Sequence, residues 1–142
     1  MKVYGHNISS AKGLTNFDLI KYARLLKIDH FRGVFMRDTL PESPNHTECA
    51  IVNFNTSDQA GSHWVCYYKN GINRIYFDSF GQVTPMEIQK YLKSKTEFDL
   101  DKSVIQRNTD IVQHVNTHVC GHLCLIVLTA LTREHLSYQD VC

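Results

Sequence analysis

Phe17, Ile20, Ala23 and Leu26 recur at helical spacing, and Thr15 stands where a capping side chain is wanted, so a helix with these four on its apolar face is predicted. From Phe31 to His46 two prolines and several polar residues break the pattern, which predicts loop with room for one short strand. Cys49 to Phe54 is short, apolar and β-branched at its centre, as a buried strand is. His63 to Tyr68 reads as a second strand and Asn70-Gly71 as a turn. Arg74 to Asp78 is a third strand, antiparallel to the second. Thr84-Pro85-Met86-Glu87 has the form of a capping box with proline in the first helical position, opening a helix to about Lys93. Ser103 to Gln106 fits a fourth strand. Cys120 then opens an apolar helix that continues toward Leu131 or beyond, far too short to cross a bilayer. The order helix, strands, helix, strand, helix gives the α+β class with a central sheet.

The 142 residues suit one domain, 1–142, with a real core. The 43% of apolar and 20% of charged residues are those of a folded chain, and a net charge of +1 gives no whole-chain argument for a nucleic-acid partner. Met1 to His6 lacks the apolar run of a secretion signal, so secretion is not expected. Five cysteines, Cys49, Cys66, Cys120, Cys124 and Cys142, make an odd count that argues for a reducing compartment over a disulfide framework. Free cysteines mostly serve as small core hydrophobes, so the question is whether one of these differs.

Cys120 does. It opens a helix, where the dipole and a nearby imidazole lower a thiol pKa and so favour the nucleophilic thiolate. His63 begins one strand and Asp78 ends its hairpin partner, an arrangement that brings them together. The carboxylate then fixes the imidazole tautomer and stabilises its cation. Gln113, seven residues before Cys120, has a side-chain amide that can join the Cys120 N–H in holding an oxyanion. Gly121 is expected to permit close approach of a substrate backbone. Trp64 is expected to form a wall of the site and Asn53 to line the groove.

The runs Cys49 to Asn53, Gly61-Ser62-His63-Trp64, Phe77-Asp78-Ser79-Phe80-Gly81 and Gln113 through Val119-Cys120-Gly121-His122-Leu123-Cys124 resemble the adenovirus maturation protease family. That wider group includes the capsid proteases of virophages and Polinton-type elements and the proteases of ubiquitin-like proteins. The resemblance covers roughly Leu14 to Leu131. It implies a papain-like core in permuted chain order, with a mixed or antiparallel sheet packed against the nucleophile-bearing helix. It also implies a thiol endopeptidase with His63, Asp78, Gln113 and Cys120 in the roles assigned above. Its substrates are expected to be capsid or other virion precursors cut next to small residues such as glycine, in the virion and the host cytoplasm or nucleus. The Gln-x6-Cys spacing matches the viral members better than the cellular ones.

Two departures stand out. The adenovirus enzyme carries a long extension after its nucleophile, whereas 22 residues follow Cys120 here. Its activating peptide is disulfide-linked to a cysteine that corresponds to Lys102, so no covalent peptide cofactor is expected. The resemblance also brings DNA association, which Lys90, Lys93, Lys95 and Lys102, interspersed with Glu97, Asp99 and Asp101, support only weakly; such a run is most often a solvated face. His114, His118, Cys120, His122 and Cys124 raise a metal site, but their spacing lacks the loop-separated pairs of structural zinc, and neither a metal nor another cofactor is expected. Cys124 reads as core, with redox pairing to Cys120 as its alternative. A ubiquitin-type isopeptidase, an acetyltransferase on the same triad and a non-catalytic binding domain remain open beside the protease.

Overall fold

The computed structural model describes residues 1–59, 63–93, 104–113 and 117–138. Gly61, Ser62, Lys95, Glu97, Asp99, Asp101, Lys102, Ser103, His114, Asn116 and Cys142, which carry several of the expectations above, lie outside the described residues.

A short antiparallel ladder of β1 (Lys2–Val3) and β2 (His6–Asn7) precedes helix α1 (Asn16–Leu25). Thr15 Oγ1 accepts from the Asp18 N–H (3.2 Å) while Asp18 Oδ2 accepts from the Thr15 N–H (2.9 Å), a reciprocal capping box. The buried stripe differs from the expected one. It runs Leu19, Ala23 and Leu26, while Phe17 is 77% exposed and Ile20 sits at the rim. Leu19 and Tyr22 form a competing apolar stripe, and the helix is turned so that these two meet the core.

Among the described residues, five strands follow in the sheet: β3 (Phe31–Met36), β4 (Thr47–Asn53), β5 (Trp64–Asn70), β6 (Asn73–Phe77) and β7 (Ile105–Arg107), with spatial order equal to chain order. The pairs β4–β5 and β5–β6 are antiparallel, whereas β3–β4 and β6–β7 are parallel. The segment from Phe31 to His46 is a six-residue edge strand followed by loop, as the sequence pattern allows. Within the strand, Arg32-Gly33 hides the period-two pattern that Val34 and Phe35 reveal by packing on opposite faces.

Alternate residues of the central strands supply two cores. Cys49, Ile51, Cys66, Ile75 and Phe77 pack against α1 and the helix α3 (Cys120–Thr132). Ala50, Val52, Val65, Tyr67 and Tyr76 pack against Ile88, Tyr91 and Leu92 of α2 (Met86–Leu92). A sheet buried on both faces explains why β4 and β5 read as continuous apolar runs. Buried Glu48 accepts from Tyr67 Oη (2.5 Å), Tyr91 Oη (2.8 Å) and Arg32 Nη1 (2.9 Å), tying α2 to the second face. Pro85 occupies the cap of α2, not its first helical position, and the expected capping box is absent. Thr84 Oγ1 is buried and has no partner among the described residues, because the extended Pro85 carries that side chain away from the first turn.

Candidate active site

His63, Asp78 and Cys120 each sit where a regular element begins or ends, flanking the apolar runs of the central strands and of α3. The ladder pairs Cys66 with Phe77, which sets Asp78 opposite Val65 and within reach of His63. His63 Nε2 lies 2.6 Å from Asp78 Oδ1, with the carboxylate fully buried and the imidazole 11% exposed. A carboxylate accepts, so the proton is on Nε2, and Nδ1 is the nitrogen left for the Cys120 sulfur, which lines the same cleft. The His63 ring is held between Phe80, whose centroid is 4.7 Å away, and Phe54.

Cys120 is the first residue of α3, and its sulfur accepts from the Trp64 N–H at 3.4 Å. Burial pushes its pKa up. The bond to His63, the Trp64 and Gly121 N–H groups and the imidazole charge push harder the other way, so the thiol lies below its ordinary value. Burial likewise disfavours the His63 cation, yet the bonds to Asp78 and Cys120 raise its pKa from 6.5 to about 9. Both shifts favour a thiolate–imidazolium pair.

Asp78 is itself clamped. Its N–H donates to Asn108 Oδ1 (3.0 Å), Asn108 Nδ2 donates to its carbonyl (2.5 Å), and its Oδ1 also accepts from the Phe80 N–H (2.8 Å). Asp78 therefore both shapes its turn and holds His63. Gly81 closes that turn at φ +65°, with its Cα so near the Thr109 carbonyl that a Cβ has no room.

The structure brings His63, Asp78, Gln113 and Cys120 together. Gln113 is buried and lines the same cleft of about 860 Å³ as His63 and Cys120. Its Nε2 donates to the Thr117 carbonyl (2.9 Å) and its Oε1 accepts from Ser79 Oγ (2.5 Å). Trp64 also lines this cleft, and its indole N–H donates to the Leu14 carbonyl (2.9 Å). Asn53 lines it as well, buried, with Oδ1 accepting from the Asn55 N–H (2.9 Å). Gly121 requires a correction. It is buried away from the cleft, and a Cβ there would meet Leu19 at 3.2 Å, Trp64 at 3.4 Å and Leu14 at 3.5 Å. Its missing side chain lets residues 14–19 pack on α3; it does not admit substrate.

The histidine and cysteine run is dispersed by α3. His122 is buried and donates from Nε2 to the Ser9 carbonyl (2.8 Å), while Cys124 is buried beside Cys66. Among the described residues, no group of three or more His, Cys, Asp or Glu is arranged to hold a metal. Among them, too, no helix is long and apolar enough to cross a membrane. Ser79 and Asn108 join the site without having been singled out by the sequence pattern; Ser79 stands inside the Phe77 to Gly81 run, whereas nothing around Asn108 marks it.

The family model of the adenovirus endoprotease matches residues 31–139. A protease of bovine adenovirus 2 is 29% identical over 91 residues, covering 58% of this chain and 44% of that protein. The crystal structure of the ASFV pS273R protease superposes with a TM-score of 0.60 at 18% identity, over 92% of this chain and 61% of that one. Its selenomethionine form gives 0.59 with the same identity and coverage. The chain thus spans less than two thirds of the length of these relatives. At 18% identity the second likeness is one of fold, the expected α+β arrangement of a mixed central sheet with helices packed on it.

Proposed function

Because the chain belongs to the adenovirus endoprotease family, we propose that it is a cysteine endopeptidase of the viral maturation type, acting on protein substrates. The observation that carries this reading is the Cys120 sulfur held by the Trp64 N–H in the same cleft as His63, with His63 anchored on buried Asp78. In the reaction, the Cys120 thiolate attacks the scissile carbonyl carbon and the carbonyl π electrons move to oxygen. Gln113 Nε2 and the Cys120 N–H donate to that oxyanion. The intermediate then collapses, the C–N bond breaks, and His63 delivers its proton to the leaving amine. Water, deprotonated by the now neutral His63, cleaves the thioester and restores the ion pair.

The substrates in this reading are capsid or other virion precursors cut beside small residues such as glycine, in the virion and the infected cell. Lys102 standing where a cofactor-linked cysteine is needed supports activity without a covalent peptide. The test is labelling by a peptide vinyl sulfone in reducing buffer, followed by mapping of the cut site in a co-expressed capsid protein. Labelling and cleavage are both expected to vanish in Cys120→Ala. Equal labelling of native and variant chains overturns the assignment of the nucleophile. Turnover that begins only after a partner peptide is added overturns the cofactor-free reading, and exclusive cleavage of ubiquitin-like precursors overturns the substrate class.

A further inference from the structure

An oxyanion donor works only if its N–H points at the oxyanion before charge develops there. A glutamine amide has a near-degenerate alternative, rotated by 180°, that would present oxygen instead and repel the anion. The surroundings of Gln113 decide between the two. The Thr117 carbonyl can only accept, so the nitrogen must face it at 2.9 Å. The other end of the amide then has to be oxygen, and the Ser79 hydroxyl meets it at 2.5 Å. One N–H of Nε2 is spent on Thr117 and the second is left for the cleft.

Ser79 is fully buried and has little freedom of its own. Its carbonyl accepts from the Val112 N–H at 2.8 Å, next to Gln113, while Asn108 grips the preceding residue, Asp78, on both backbone groups. The turn after β6 and the segment 108–113 are thereby joined along their length. We propose that Ser79 is a positioning residue for the oxyanion donor: the Thr117 carbonyl selects the amide orientation, and the Ser79 hydroxyl pins its oxygen end so that the free N–H stays directed at the scissile carbonyl. This rests on the reading that Gln113 holds the oxyanion. Ser79 touches neither substrate nor sulfur. It acts through Gln113, and the same turn delivers the carboxylate for His63 one residue earlier.

A double-mutant cycle tests this with the full chain, using acetyl-Leu-Arg-Gly-Gly-7-amido-4-methylcoumarin as the turnover probe and iodoacetamide as the probe of the thiolate. Ser79→Ala is expected to lower kcat by about 10- to 100-fold with KM within about 3-fold, and to leave the pH profile of Cys120 alkylation in place. In a Gln113→Ala background the same change is expected to cost less than about 3-fold, because there is no amide left to orient. Ser79→Thr, which keeps the hydroxyl, is expected to recover more turnover than Ser79→Ala. An undiminished cost in the Gln113→Ala background overturns the proposal. So does a shifted alkylation profile, which would mean that Ser79 acts through Asp78 and His63. A Gln113→Ala chain with native turnover defeats instead the oxyanion role of Gln113. Thermal unfolding of each variant keeps loss of fold apart from loss of alignment.

Discussion

Replacing Asp78 by asparagine isolates the charge that holds the ion pair. The raised His63 pKa, from 6.5 to about 9, corresponds to roughly 3 kcal/mol in favour of the imidazolium, net of the opposing burial. Asp78 and the Cys120 sulfur share that stabilisation. In Asp78→Asn the amide orientation is fixed in advance. His63 Nε2 and the Phe80 N–H both require an acceptor where Oδ1 now sits, so the amide oxygen goes there. The NH2 group goes to the Oδ2 position, which has no partner among the described residues. Geometry is kept and charge is lost, at a cost of about 1–2 kcal/mol in imidazolium stability.

That loss passes to the thiolate. The acid limb of Cys120 alkylation by iodoacetamide is expected to move up by about one pH unit, with the rate on that limb falling roughly 10-fold. On the alkaline plateau, where the thiol is ionised in both chains, the rates converge. Peptide turnover falls further, by about 100-fold, because His63 must also protonate the leaving amine. The sign follows from the raised histidine: its contribution is complete below its unfolded pKa of about 6.5 and disappears as pH rises through about 9. Native turnover should therefore decline as pH rises through that upper value. Coincident acid limbs for native and variant chains, with both folded by circular dichroism, would refute the argument.

Asn108→Ala strips two hydrogen bonds from the buried backbone of Asp78 and should cost about 2–4 kcal/mol in urea unfolding; a loss under about 0.5 kcal/mol counts against the clamp. Gly81→Ala places a Cβ against the Thr109 carbonyl at a positive φ, so the melting temperature should drop by several degrees, for about 2 kcal/mol or more. His122 is kept neutral by burial and its pKa is lowered, so its contribution is present above about pH 6.5 and is lost as pH falls. His122→Gln retains a donor for the Ser9 carbonyl but does not titrate. The urea midpoint of the native chain should accordingly fall faster than that of the variant between pH 7.5 and pH 5, and parallel falls would exclude His122 as the source.

What the sequence disclosed was governed by where apolar pattern and special chemistry coincide. The central hairpin and α3 were legible because two-sided burial writes continuous apolar runs and because Asn70-Gly71 marks the turn. His63, Asp78 and Cys120 were legible because they end those runs. The edge strand β3 was legible only as room for one short strand, since Arg32 and Gly33 interrupt its alternation, and the α1 face differs from the expected one because two stripes compete on it. Gly121 follows the candidate nucleophile in sequence, which points it at substrate, although its neighbours in space are Leu14, Leu19 and Trp64. Ser79 and Asn108 act through contacts with residues thirty or more positions away, which no local pattern records.

The site is assembled from two bodies that meet across the β5–β6 ladder. One joins the start of β5 to the first turn of α3, since the Trp64 N–H reaches the Cys120 sulfur and the Trp64 indole ties in Leu14. The other joins the turn after β6 to segment 108–113 through Asn108, Ser79 and the Thr109 backbone. In the proposed reaction the first body carries the nucleophile and base, and the second carries the acid and the amide donor. Changes within the second body should therefore divide into two kinds. Those that move Asp78 shift the pH at which the thiolate forms, whereas those that move only Gln113 leave that pH alone and lower kcat. A variant of Ser79 that shifted the ionisation, or one of Asp78 that spared it, would show that the two functions of this turn are not separable in the way its hydrogen bonds indicate.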